Sequence, residues 1–150
     1  MKTTILDLIG NTPLVSLNSY WHRRAMLFAK LEGQNPGGSI KDRVALAMIE
    51  EAEKSGKLRP GMTILEPSSG NTGIGLAMVG AVKGYAVRIV MPENATPERE
   101  KILKSYGAEV EYCSQESWKG DDAISRIKNL CDEEAGLFMP NQYENPMNPE

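Results

Sequence analysis

The block Asn35-Pro36-Gly37-Gly38-Ser39-Ile40-Lys41-Asp42-Arg43 sets a lysine where a glycine-rich turn gives way to a helix. In the first turn of a helix, the positive end of the dipole and the unpaired N–H groups disfavour an ammonium. Lys41 is thereby biased toward the neutral amine, the form that attacks an aldehyde to make a Schiff base. The plainer alternative is a surface lysine after a glycine-rich loop, and an isolated block of this kind favours that alternative. A second block, Glu66-Pro67-Ser68-Ser69-Gly70-Asn71-Thr72-Gly73, lies between a strand and an apolar helix. Small hydroxyl and glycine residues at a helix N-terminus turn several backbone N–H groups toward one point, which suits a carboxylate or a phosphate. Ligands of open α/β sheets collect beyond the carboxyl ends of the strands, where this loop falls. It has neither the Gly-Lys-Ser/Thr of a P-loop nor GxGxxG spacing, so nucleotide motifs fit it poorly. Alone, a helix cap with a close-packing glycine describes it as well as an anion site does.

The residue types that are scarce narrow the chemistry further. His22, in the polar stretch Trp21-His22-Arg23-Arg24, is the sole histidine, and Cys113 and Cys131 are the only cysteines, without CxxC spacing. A zinc site or a Ser-His-Asp triad has almost nothing to be built from, so no metal is expected. The two cysteines read as small buried or half-buried hydrophobes. A net charge of −3 and a pI near 5.3, with no basic block longer than Arg23-Arg24, argue against nucleic acid as a partner. No apolar run approaches the roughly 18 residues that span a bilayer. Asp7 interrupts the N-terminal stretch that a signal peptide would keep apolar, so a cytoplasmic location is expected.

These blocks are held by an alternation of short β-type runs and helical segments. Residues 12–17 and 26–31 read as two strands joined by a polar loop. From Lys41, the apolar residues Val44, Ala45, Met48, Ile49 and Ala52 recur at helical spacing opposite Glu50, Glu51, Glu53 and Lys54. Ser39 and Asp42 are expected to form a capping box at the start of that helix, and Gly56 to stop it. A β-then-α series succeeds it: strand 62–65, helix 71–83, strand 86–91, helix 97–106, strand 108–112, helix 121–134 and strand 137–139. Thr96, Pro97 and Gly107 supply the cap, first turn and stop of the third helix. Helix 71–83 is apolar nearly all round (Ile74, Leu76, Ala77, Met78, Val79, Val82) and is expected deep in the structure. Four strands alternating with helices imply an α/β fold, an open, mostly parallel twisted sheet with helices on both faces. A hydrophobic content of 41% in 150 residues suffices for one core. Residues 141–150 have the composition of a connecting loop, and the two first strands lack an obvious partner in the series. Both features suggest a chain cut at a domain boundary.

Together the two blocks weigh more than either alone. With Ile9-Gly10-Asn11-Thr12-Pro13-Leu14-Val15, Lys30-Leu31-Glu32, Lys57-Leu58-Arg59-Pro60-Gly61, Met91-Pro92-Glu93 and Tyr106-Gly107-Ala108-Glu109, they occur in one order along the whole chain. In that order they resemble the N-terminal half of the cysteine synthase (O-acetylserine sulfhydrylase) family of fold-type II enzymes. The resemblance implies a tryptophan-synthase-β-like fold and pyridoxal 5′-phosphate as cofactor. It makes Lys41 the Schiff-base lysine and the base for the substrate's Cα proton, and it gives Asn71 a hydrogen bond to the cofactor's 3′ oxygen. Ser68, Ser69, Asn71, Thr72 and Gln142 would line the substrate carboxylate site. A threonine often stands in the family where Ser68 is, and the hydroxyl is kept.

The implied reaction is β-replacement that makes L-cysteine from an O-activated serine, O-acetylserine or O-phosphoserine, and a sulfur donor. The implied partners are that amino acid and donor, a second copy in a homodimer, and the C-terminal tail of serine acetyltransferase. Residues 1–34 would pack on a second domain, 35–140 form the α/β domain, and 141–150 begin the connection. The family's phosphate-binding loop and the serine facing the pyridine nitrogen would come after residue 150, so the 150-residue chain alone is expected to be inactive. The rivals are a cystathionine β-synthase, a serine/threonine dehydratase, or a truncated domain that serves as a non-catalytic interaction module.

Overall fold

The computed structural model describes residues 4–18, 25–119 and 122–148. The Trp21-His22-Arg23-Arg24 stretch and Asp121 lie outside them. Strands β1 (Leu14–Ser16) and β2 (Phe28–Lys30) are three residues each, shorter than expected, and among the described residues they pair only with one another, antiparallel, Val15 opposite Ala29. A 3-10 turn at Glu32–Gln34 then leads into the glycine-rich block.

Helix α1 (Lys41–Lys54) buries Val44, Ala45, Met48, Ile49 and Ala52, the face that the spacing assigned to the core. Its start differs from the expected capping box. Ser39 Oγ accepts the N–H of Lys41 at 3.1 Å, while the Asp42 carboxylate turns back to the N–H of Gly37 at 2.5 Å. Asp42 is fully buried beneath the glycine turn, so its carboxylate satisfies the turn rather than the helix end. Gly56, at φ +73°, takes the left-handed conformation that ends α1.

The remaining chain builds one four-stranded sheet. Strand β3 (Thr63–Pro67) leads to α2 (Asn71–Lys83), β4 (Ala86–Pro92), α3 (Pro97–Ser105) and β5 (Glu109–Cys113). A short helix α4 (Gln115–Lys119), which the spacing did not reveal, precedes α5 (Asp122–Glu133) and β6 (Leu137–Phe138). The strand order is β5-β4-β3-β6 and every pairing is parallel, so the mostly parallel sheet expected is wholly so. Alternation along the strands separates two cores. Ile64, Val87, Ile89 and Met91 pack with α1, α2 and α3, and Leu65, Val90 and Cys113 pack with α5 through Ala123 and Ile127. Helix α2 is buried from Thr72 to Gly80, although Val82 in its last turn is exposed.

Two segments near the carboxyl edge of the sheet depart from the expected boundaries. β3 runs two residues past its expected end, which moves Glu66 and Pro67 out of the loop and into the sheet, Pro67 opposite Val90. Residues 141–148 are a series of turns that opens on Asn141 at φ +52°, a conformation that asparagine tolerates better than most side chains. Both cysteines are free, Cys113 buried and Cys131 half-buried, as expected of small hydrophobes. Among the described residues, no helix is long and apolar enough to cross a membrane.

Candidate active site

The carboxyl ends of β3 and β6, the start of α2 and the start of α1 meet at one edge of the sheet. Ser68 comes directly after β3, and its N–H extends the ladder to the Val90 carbonyl at 2.9 Å. Its hydroxyl oxygen turns under the first turn of α2 and accepts the N–H groups of Gly73 at 3.0 Å and Gly70 at 3.4 Å. A glycine at 73 eases that approach, because a Cβ there would sit 3.3 Å from both Ser68 Oγ and Ile89 Cγ2, a tight contact. Ser68 and Thr72 are buried, Ser69 is half-buried, and Asn71, the first residue of α2, is exposed. The side chains of Ser69 and Asn71 make no hydrogen bond to other described residues, so their polar atoms are available to a ligand.

Thr72 leads to the end of the chain. Its hydroxyl donates to Gln142 Oε1 at 2.6 Å, and both residues are buried. The Gln142 carbonyl accepts the side-chain amide of Asn148 at 2.8 Å, and Asn148 Oδ1 accepts from Lys41 Nζ at 3.1 Å. Four residues from three stretches of sequence thus form one hydrogen-bonded path from α2 to the amine of Lys41. Helix packing sets the spacing of that path. A Cβ on Gly75 would lie 3.0 Å from Ala45 Cβ and 3.1 Å from the Lys41 carbonyl oxygen, so the absence of a side chain lets α1 begin beside the first turn of α2.

Of the residues singled out from sequence, Lys41, Ser68, Ser69, Asn71, Thr72 and Gln142 therefore stand at one edge. Ser68 faces the backbone of its own turn, and Asn71 and Ser69 stay apart from the Thr72–Gln142 path. Three further contributors were not singled out from the sequence. Gly75 and Asn148 carry no local signal. Glu66 does carry one, a carboxylate at the end of an apolar strand run. Only 1% exposed, it accepts the N–H of Asn141 at 2.8 Å on one oxygen and that of Gln142 at 3.1 Å on the other. Burial pushes its carboxyl up from 4.5 to about 7, against the opposing pull of the two N–H groups.

On the far side of Lys41, Glu32 anchors the N-terminal strands. It receives Arg43 through two contacts, Nε at 2.7 Å and Nη2 at 2.9 Å, together with Thr12 Oγ1 and Asn35 Nδ2. The Arg43 guanidinium, with the Thr12 hydroxyl as the next largest influence, holds the Glu32 carboxyl at about 2. Asp42 behaves in the opposite way: burial raises it above the usual carboxylate range.

The donor set suits an aldehyde-bearing group with an anionic substrate. Lys41 offers a primary amine whose hydrogen-bond partner is a neutral amide and not a carboxylate. The free polar side chains of Ser69 and Asn71 and the start of α2 stand beside it. Comparisons with known proteins agree with that chemistry. The family model described as pyridoxal-phosphate dependent enzyme matches residues 5–150. A cysteine synthase of Staphylococcus aureus is 55% identical over 148 residues, covering 97% of this chain and 47% of the relative. The solved structure of a hydrogen sulfide-producing enzyme from Fusobacterium nucleatum aligns with a TM-score of 0.88 at 45% identity, over 99% of this chain and 48% of its own. That of a cysteine synthase from Entamoeba histolytica aligns with a TM-score of 0.89 at 38% identity, over 99% of this chain and 45% of its own. The chain spans about half the length of the curated relatives it matches.

Proposed function

Because the chain belongs to the family of pyridoxal-phosphate dependent enzymes, we propose that it supplies the lysine and the substrate-carboxylate site of a cysteine synthase. The reaction is a β-replacement: an O-activated serine, O-acetylserine or O-phosphoserine, exchanges its Cβ oxygen substituent for sulfur and becomes L-cysteine. The observation that carries this proposal is the path Lys41–Asn148–Gln142–Thr72, which joins an amine without an acidic partner to the N-terminus of a buried helix.

Lys41 would hold pyridoxal phosphate through its Nζ, and Asn71 would hydrogen-bond the cofactor's 3′ oxygen. Bound there, the cofactor supplies an electron sink for the charge that develops at the substrate Cα. The substrate carboxylate would rest on the N–H groups at the start of α2 and on the side chains of Ser69, Asn71 and Gln142, with Thr72 joining them once its hydroxyl turns from Gln142 Oε1 to the anion that the helix dipole favours. The hydroxyl proton of Ser68 is not consumed by the two N–H groups its oxygen accepts, so it too can point at the carboxylate. With the carboxylate held at α2, the Lys41 amine on α1, once the substrate's own amine has displaced it from the cofactor, would be placed to take the Cα proton as general base. Holding both groups on packed helices supplies the positioning that such a transfer needs.

Residues 1–34 would pack on a second domain, 35–140 form the α/β domain and 141–150 open the connection between them. A homodimer in the cytoplasm, and a cleft that can receive the C-terminal tail of serine acetyltransferase, complete this proposal. The phosphate cradle would come from the second domain, so the 150-residue chain should bind the cofactor weakly and fail to turn over substrate. Two measurements test this. Borohydride reduction of cofactor onto the chain, with peptide mapping afterwards, should place the label on Lys41; label confined to any other lysine overturns the assignment. O-acetylserine and sulfide added with cofactor should yield no cysteine above background. Robust cysteine formation contradicts the half-site, and a ketoacid product points to a dehydratase.

A further inference from the structure

Asn148 and Glu66 touch neither cofactor nor substrate in the proposed reaction, yet they decide where its amine and its loop stand. Asn148 is the only hydrogen-bond partner of Lys41 Nζ among the described residues, accepting on Oδ1 at 3.1 Å while its own amide donates to the Gln142 carbonyl at 2.8 Å. Fixed at both ends, this side chain holds a four-carbon stem that would otherwise sample many rotamers. The stretch that carries Asn148 is irregular, and its tie to the sheet at residues 141 and 142 is Glu66. The carboxylate of Glu66 receives the N–H groups of Asn141 and Gln142 on separate oxygens, at 2.8 and 3.1 Å. Among the described residues no cation faces it in an ion pair. A lone, nearly inaccessible carboxylate of this kind is costly to keep unless it orders something.

We propose that Asn148 is a positioning residue for the Lys41 amine, and that Glu66 acts through the backbone of residues 141 and 142 to keep Asn148 in place. The proposal rests on Lys41 being the lysine that takes the cofactor aldehyde. Without Asn148 the amine swings free of the α2 N-terminus. Without the carboxylate of Glu66 the 141–142 backbone loses both acceptors, and Asn148 drifts with it. A glutamine at 66 keeps one acceptor oxygen and sets an NH2 against the other N–H, so its effect should fall between wild type and alanine.

The test uses the 150-residue chain at one pH with pyridoxal phosphate and borohydride, and reads the fraction of all lysine label that sits on Lys41. Asn148→Ala and Glu66→Ala should each lower that fraction roughly threefold or more, with Glu66→Gln in between. A destabilised control on another helix, Leu103→Ala on the core side of α3, should melt earlier yet leave the fraction unchanged. Because the fraction compares lysines within one sample, a loss of stability that leaves the chain folded does not move it. If Glu66→Ala fails to fold, Glu66→Gln and Asn148→Ala carry the comparison. An unchanged or increased fraction in Asn148→Ala and the Glu66 variants overturns the proposal, as does an equal fall in Leu103→Ala. Label absent from Lys41 in the wild type overturns the cofactor reading itself and this proposal with it, so the two failures are distinct.

Discussion

Glu66 is a carboxyl group buried at the end of a strand, with two backbone N–H groups beside it and no ion pair among the described residues. Its raised value of about 7, against 4.5 for the free side chain, sets a stability window with a definite sign. Between those two values the folded chain holds a proton on Glu66 that the unfolded chain has released. The contribution is therefore fully present below pH 4.5 and lost as pH rises through about 7. At about 1.4 kcal/mol per pH unit, the interval corresponds to an upper bound of about 3 kcal/mol. Urea denaturation at pH 5 and pH 8 should show the wild type losing stability with rising pH. Glu66→Gln, which does not ionise, should lose the part of that slope that Glu66 contributes. An identical slope in both proteins would show that another group carries it. At this scale, Lys41, Ser68 and Thr72 could be singled out in the sequence because the features that mark them are local: a lysine after glycines, hydroxyls at a helix start. Glu66 was visible only as a letter in a block. Its role depends on a loop 75 residues away that no spacing along the chain reveals.

At the scale of elements, the contact between α1 and α2 brings the two chemical blocks together. Gly75 allows it, since an added Cβ would meet Ala45 Cβ at 3.0 Å and the Lys41 carbonyl at 3.1 Å. One of those neighbours is backbone, which cannot rotate aside. Gly75→Ala should therefore cost about 1–3 kcal/mol, the usual range for overpacking, despite the better helix propensity of alanine. A shift in the urea midpoint without a change in slope checks it. If Gly75→Ala proved neutral or stabilising, propensity would outweigh packing and the two helices would have room to separate. The helical faces of α1 and α2 were legible because apolar spacing survives in any packing. The end of β3 was not, since Glu66 and Pro67 are poor strand formers that the parallel neighbour β4 holds in register all the same. β1 and β2 are also shorter than their apolar runs, because pairing needs a partner and each finds only the other.

Across the whole molecule, the apolar surface is spread unevenly. Leu14 and Phe28 lie on the same outward face of the β1–β2 pair and are 62% and 48% exposed, with Met26 and Ile40 also exposed. The sheet and its helices, by contrast, gather most of their large hydrophobes into two cores, with Val82, Ile102 and Tyr112 left exposed. Exposed side chains that pack on nothing contribute little to folding. Leu14→Ser with Phe28→Ser should leave the urea midpoint within about 0.5 kcal/mol of wild type and reduce the binding of a hydrophobic dye such as ANS. A large loss of stability would show instead that this face is part of the core.

The sequence by itself determined the class of fold and the residues with chemistry to offer. Short apolar runs alternating with period-3.6 segments admit a parallel sheet covered on both faces, and two short blocks name an amine and a helix N-terminus. Both properties are local, so they can be read without knowing what lies beside them. Only the tertiary structure decided which groups share a site. The strand order β5-β4-β3-β6 sets the end of β6 beside that of β3, and that neighbourhood carries Gln142 to Thr72, Asn148 to Lys41 and the 141–142 backbone to Glu66. Contacts across 70 to 107 residues arise from chain closure and helix packing, and nothing in the order of residues along the chain encodes them singly.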